Sequence, residues 1–434
     1  MLAIFMDRHL YCGVPMHCCV NRQNMLRIKP FDFFFLIVFA TITTANAYGQ
    51  PYSLLWGRNG EAWNKDRMPD FTNAGYGGGT VPVPHYNFVI DVRKTGAIGD
   101  GKTDNTAAFR KAIQLCGTGH AVYIPAGTYV LSDSIVIRKS NICLRGEGEQ
   151  KTILYFKKGL EEMYPHYNGY YPNQTDWSWS GGMIGFAGNI TGCGVESLSI
   201  IFPDSSWAGH NFHERGYNGI GFCDSVHNGW VRDVQIINAD LGIWIEQSAH
   251  HITLENWRLD FGPNRSTQKL AGHHGLNIYG GYNLVQNFEV NGRYQHDLSV
   301  ESKFSVYNVF RNGCGKDLCI DHHNHAQSNN LFTNLDAGIG SRIFVSGGIE
   351  TPRGICSHET FWNIRAKRPL QYCNQFDSKD RHSSNNVCVG IKTDKPSQFH
   401  DPYGNWFETI DPSELAPADL YEAQMRLKKM KIKN

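Results

Sequence analysis

The sequence predicts an all-β chain wound as a parallel β-helix, a solenoid closed at its N-terminal end by a capping helix. Three observations carry that expectation. First, an apolar-x-apolar triplet recurs at Ile243-Trp244-Ile245, Leu276-Asn277-Ile278, Leu298-Ser299-Val300, Leu318-Cys319-Ile320 and Ile343-Phe344-Val345, at intervals of 33, 22, 20 and 25 residues. Second, each triplet is followed by a strand with a polar residue, mostly Asn, just ahead of an apolar one. The series runs Ser197-Leu198, Asp233-Val234, Asn256-Trp257, Asn287-Phe288, Asn308-Val309, Asn334-Leu335, Asn363-Ile364 and Asn386-Val387. Units of this length cannot bury their own faces and stack into one continuous core. Third, 45 Gly, 12% aromatic and only 19% charged residues suit turn-rich β structure.

The elements follow in order. Met25 to Ala47 reads as a secretory leader, with Arg27 and Lys29 ahead of the apolar run and Ala45-Asn46-Ala47 as a small-residue cleavage site. Met25 is then the expected true start, residues 1–47 are the leader region, and the product is secreted or periplasmic with no stable membrane span. Residues 48–88 read as a strap lying over the solenoid, 89–395 as the β-helix, and 396–434 as a tail ending in a short basic helix. Within the solenoid, Thr106 to Cys116 sets Ala108, Phe109, Ala112, Ile113 and Cys116 on one helical face, with Gly117 just past its end. Asp104 or Asn105 can cap it. Such a helix would plug the open first coil. Three long interruptions, Lys157 to Met183, Pro203 to Asn218 and Phe261 to His274, carry Trp177 and other aromatic residues that suit stacking on sugar rings.

The segment from Val89 to Tyr155 adds a resemblance. Gly99-Asp100-Gly101-Lys102-Thr103-Asp104, then Tyr123-Ile124-Pro125-Ala126-Gly127-Thr128-Tyr129, then Leu144-Arg145-Gly146-Glu147-Gly148 resemble the opening of rhamnogalacturonase/epimerase-like members of the pectate-lyase-like superfamily. The resemblance implies a right-handed parallel β-helix active on polysaccharides. The run from Asp297 to Lys303 also resembles the catalytic coil of chondroitinase B and related alginate lyases. That resemblance implies a Lys base at Lys303 and a calcium ion held by paired Glu. Here the Glu-x-Glu pair is missing, and Asp321 or a neighbour holds the family's Arg position.

Composition narrows the function. With 41 basic against 40 acidic side chains, nucleic acid is not an expected partner. The twelve Cys lack metal-ligand spacing. Nine lie after the leader and read as buried small hydrophobes, with Cys314–Cys319 and Cys373–Cys388 as the alternative pairings. Of His322, His323 and His325, only the last two share a strand face, so no metal site is expected there.

Strand alternation turns one face of neighbouring coils into a cluster of carboxylates, imidazoles and cations. Stacked on the triplets, the outward residues run Trp244, Asn277, Ser299, Cys319, Phe344 in one column and Glu246, Tyr279, Glu301, Asp321, Ser346 in the next. The catalytic candidates are His274, Tyr294, His296, Asp297, Lys303, Asp321, His323 and Arg342. The substrate-binding candidates are Asn277, Tyr279, Glu301, Lys316, Trp177 and Trp244. Imidazole, phenol, ammonium and guanidinium groups favour a lyase that removes the C5 proton of a uronic-acid glycan while a cation neutralises the sugar carboxylate. The alternatives are a polygalacturonase-like hydrolase using paired carboxylates, such as Asp297 with Asp317 or Glu301 with Asp321, and a non-catalytic glycan-binding β-helix of the tailspike or adhesin kind.

Overall fold

The computed structural model describes residues 52–165, 181–207, 209, 214–323, 327–347, 356–370, 383–393 and 403–433. The leader, Trp177, His325 and Cys373 lie outside these residues. The chain is a right-handed parallel β-helix, with every named strand pairing parallel. One long sheet runs from Asn87–Asp91 through successive coils to Trp406–Glu408. A second sheet stacks Ile135–Ile137, Ile184–Phe186, Asn218–Phe222, Leu241–Ile245, Gly272–Ile278, Tyr294–Val300 and Ile320–Asp321. Among the described residues no helix is long and apolar enough to cross a membrane.

Between the sheets the core is a column of buried aliphatic and aromatic side chains. Phe310, Phe332 and Phe361 stack at 4.7 and 5.3 Å, rung upon rung. The capping helix, Thr106–Leu115, buries Phe109 and Ala112 completely over the first coil. Its first turn is held by Asp104, whose Oδ1 accepts from Thr106 N at 3.1 Å, while the Asn105 side chain accepts from Ile98 N instead.

The polar column of the sequence resolves into two ladders. Ser197, Asp233, Asn256, Asn287, Asn312, Asn334 and Asn363 occupy a corner with φ between 52° and 58°, a left-handed conformation that Asn and Asp tolerate best after Gly. Asn256 donates to Asp233 at 3.0 Å, Asn287 to Asn256 at 3.2 Å and Asn334 to Asn312 at 2.7 Å. Asn308 and Asn386, expected in this column, belong to a second, buried ladder. There the backbone N of Ile252, Asn283, Asn308, Glu359 and Asn386 each donates to a side-chain oxygen of Asn283, Asn308, Asn330, Asn386 and Asn405 in turn, at 2.8–3.0 Å.

The triplet register also shifts. Leu298 pairs with Ile320 rather than Leu318, and Ser299 with Asp321 rather than Cys319. Ile343-Phe344-Val345 is a turn, with Val345 exposed. Cys314 and Cys319 are both free thiols.

The strap from Tyr52 and the C-terminal helix Leu420–Lys433 share a second core. Trp56, Met68, Phe71 and Ala74 pack with Leu284, Leu331, Trp362, Leu415, Leu420 and Tyr421 over the outer face of the long sheet.

Candidate active site

The site is built where the strand Gly272–Ile278 departs from regular alternation. His273 N and His274 N both donate to Asp240 O, at 2.8 and 3.3 Å. Two successive amides on one carbonyl mark a bulge, which re-aims side chains. The two rings therefore lie 4.3 Å apart instead of on opposite faces. The preceding coil repeats the pattern, with Asp240 N and Leu241 N both on Tyr217 O. Gly275 follows, where a Cβ would meet Asp297 O at 2.5 Å. Arg265, wholly buried, pins the bulge: it donates to Ala239 O and Ala271 O and pairs with Asp240 at 2.7 Å.

Around the bulge, four imidazoles meet three carboxylates. Glu214 Oε1 lies 2.9 Å from His273 Nδ1, Glu301 Oε1 lies 3.3 Å from His274 Nδ1, and Asp321 Oδ2 lies 3.3 Å from His296 Nδ1. Asp321 Oδ2 also holds His323 Nδ1 at 3.1 Å. Ser299 bridges the group through His274 at 3.1 Å and Asp321 at 3.4 Å. Tyr279 donates its hydroxyl to Glu301 Oε2 at 2.7 Å. All are buried except Tyr279 and His323, which reach the surface, the His323 side chain at 25% exposure. Beside them lies the buried Asn277 amide, which hydrogen-bonds the Tyr279 side chain.

Burial sets the protonation balance. Desolvation pushes Glu301 up to about 7, its neighbour Asp321 adding to the rise and His323 opposing it. Asp321 is as buried, and desolvation pushes it up too. His296, His323 and the Gly347 amide together outweigh that and hold it well below the carboxylate range. Desolvation lowers His323, but the Asp321 hydrogen bond and the Glu301 charge win and raise it to about 9.

The structure thus gathers His274, His296, Asp321, His323, Glu301, Tyr279 and Asn277. Other expected residues stand apart. Tyr294 points into the solenoid core, wholly buried against Phe261, an even number of residues from the inward Leu298 and Val300 on the same strand. Asp297 accepts from Tyr294 N and Cys319 N, both at 2.8 Å, and pairs with Arg342, which also donates to Asp317 O and Gln295 O. Both serve the fold, as a clamp between coils. The Asp317 carboxylate pairs with Arg293 at 2.8 Å, and Arg342 reaches only the Asp317 backbone oxygen. Lys303 is exposed in a turn, its ammonium over the Phe304 ring at 5.1 Å. Lys316 is exposed at its strand entrance. Trp244 is 6% exposed and packs on Tyr279 at 4.8 Å, so its face is not open to a sugar. His273, Glu214 and Arg265 were outside the expected set. All three come from the interruptions singled out in the sequence, which also bring Trp207 to 6.2 Å from His273.

The site spans four coils of a fold whose family is now identifiable. The model of the family described as rhamnogalacturonase A/epimerase, pectate lyase-like, matches residues 89–339. The chain belongs to that family. The pre-neck appendage protein of Bacillus phage phi29 is 41% identical over 162 residues, 36% of this chain and 16% of that protein. A probable rhamnogalacturonase C of Aspergillus niger is 26% identical over 199 residues, 39% of this chain and 43% of that protein. The chain therefore spans less than half the length of these curated relatives. Among solved structures, the exopolygalacturonase of Thermotoga maritima aligns at TM-score 0.41 and 15% identity, covering 75% of this chain and 85% of that one.

Proposed function

We propose that this pectate lyase-like protein is a polysaccharide lyase that cleaves a uronic-acid-containing glycan by β-elimination. The observation that carries the reading is the pairing of two proton-handling units on neighbouring coils, Tyr279 with Glu301 and His323 with Asp321. Tyr279 and His323 are the members that reach the surface. In this reading the Tyr279 oxygen takes the C5 proton as its own proton passes to Glu301. The electron pair forms the C4–C5 double bond, the C4–O bond breaks, and the His323 imidazolium protonates the departing oxygen. Asp321 orients that imidazole.

Hydrolysis is the second reading. Glu301 and Asp321 sit one rung and two residues apart, about 8 Å between backbone positions, which suits an inverting acid–base pair. Elimination is preferred because the Asp321 oxygens already accept from Ser299, Gly347 and His323 and pair with His296, leaving little room to activate a water.

The test is a dual assay on acidic and neutral polysaccharides, following reducing ends and the ultraviolet absorbance of a new C4–C5 double bond together. Elimination makes both rise. Reducing ends without absorbance would replace this reading with hydrolysis. Silence in both, with retained glycan binding, would leave a binding β-helix.

A further inference from the structure

Beside the proton-handling units lies a nitrogen-rich cluster that the reaction above does not use as a whole. One ring nitrogen from each of His273, His274 and His296 lies within 4.8 Å of the other two. The three side chains come from two adjacent rungs and are each at most 3% exposed. Their rings sit 4.3, 4.9 and 5.8 Å apart.

We propose that His273, His274 and His296 form a binding site for a divalent first-row transition metal of the zinc class. Three features support it. The donors are imidazoles, which suit zinc, iron, cobalt, nickel and copper, whereas calcium and magnesium take oxygen shells. The spacing is close to the requirement: a tetrahedral ion with metal–nitrogen bonds of about 2.0–2.1 Å holds its donors roughly 3.4 Å apart, a contraction that small side-chain rotations supply. Most specifically, each imidazole has a carboxylate oxygen within 3.3 Å of Nδ1: Glu214 for His273, Glu301 for His274 and, shared with His323, Asp321 for His296. Metal-binding histidines are oriented and made more basic by such outer carboxylates. The bulge that sets His273 and His274 on one side, and the buried Arg265 that pins it, build a geometry that a regular strand would not provide.

The site shares Glu301 and Asp321 with the elimination reading, but its ligands are other residues and its test needs no substrate. Full-length protein stripped with a chelator is titrated with cobalt(II), then zinc(II), with calcium(II) as the contrast. Metal content is read by mass spectrometry after dialysis, and the cobalt by its visible absorption. The expected result is one cobalt bound per chain at micromolar concentration, with the absorption of a four- or five-coordinate nitrogen site, displaced by zinc and not by calcium. His274→Asn and His296→Asn should each lose that cobalt. Glu214→Gln, which keeps all three ligands and the side-chain volume, should weaken binding by about 10–100-fold. His250→Asn with His251→Asn, on the distant surface pair, should leave it unchanged. Failure of the wild-type protein to hold cobalt or zinc overturns the proposal and leaves three imidazole–carboxylate ion pairs. Full retention by folded His274→Asn and His296→Asn overturns it as well.

Discussion

Tyr279 and Lys303 make the sharpest contrast at the scale of single residues. Tyr279→Phe removes only the hydroxyl that reaches Glu301 at 2.7 Å and should slow cleavage by about 100-fold or more, in the range of a lost acid–base group. Lys303→Ala, on an exposed turn, should stay within about twofold. Equal losses in steady-state assays would defeat the assignment. Arg342 tests the other side of the reading. It pairs with Asp297, whose carboxyl burial lifts to about 6 against the pull of Arg342. Arg342→Ala strands a buried acid and should cost about 3–5 kcal/mol of stability, seen as a lower urea midpoint. An unchanged midpoint with lost activity would return Arg342 to the site. His251 governs part of the acid response. It stacks on Tyr282 at 5.3 Å and contacts His250, with His227 one ring further on. Burial, then the two neighbouring imidazoles, lowers it to about 4. The unfolded chain therefore takes a proton more readily, so stability is full above about 6.5 and falls as pH drops toward 4. His251→Asn, tolerated at φ 56°, should shrink the difference in urea midpoint between pH 7.5 and pH 5.

At the scale of elements, the buried Asn ladder ties each coil to the next through side-chain oxygens that accept backbone N–H groups. Asn308 accepts from Asn283 N and Nδ2 and donates to Gly280 O, all inside the protein. Asn308→Ala leaves those groups unpaired, at about 1–3 kcal/mol for each one that water cannot reach. The expected signature is a lower melting temperature, with faster amide exchange concentrated in the coils around residues 280–310. Uniform exchange across the chain would contradict a local ladder. The same elements show what could be read from the chain. The inward triplets and the polar column revealed the solenoid because burial enforces them coil after coil. Their register was ambiguous for a physical reason. Leu318 and Ile320 are both inward and apolar, so a slip of two residues satisfies the same pattern, and only the pairing Leu298–Ile320 brings Asp321 beside Ser299. The corner at Asn312 was hidden because Gly313 follows it where other coils carry an apolar side chain. A Cβ there would run into the Phe288 ring, which already fills the space. The His273–His274 bulge was invisible to alternation, since a doubled hydrogen bond to Asp240 leaves no mark in hydrophobic spacing.

For the molecule as a whole, the outer core couples the two ends of the described chain. Gln424 accepts from Phe71 N and donates to Pro69 O, both at 2.9 Å, and is fully buried. Gln424→Ala should loosen the strap without disturbing the solenoid. Limited proteolysis should then cut within residues 57–68 faster than in the wild type, while the far-ultraviolet circular dichroism stays the same. Cleavage spread through the coils would mean that strap and solenoid unfold together.

That coupling bears on the order of events during synthesis. The strap leaves the ribosome before any coil exists, yet its partners Leu415, Leu420, Tyr421 and Gln424 emerge only after all the coils of the solenoid. Coils can stack one by one as they emerge, while the strap has no complete seat until Leu415 to Gln424 have followed them. A ribosome that stalls within the final coils would release a chain with its solenoid largely wound and its strap undocked, so Trp56 and Phe71 would mark unfinished copies for proteases.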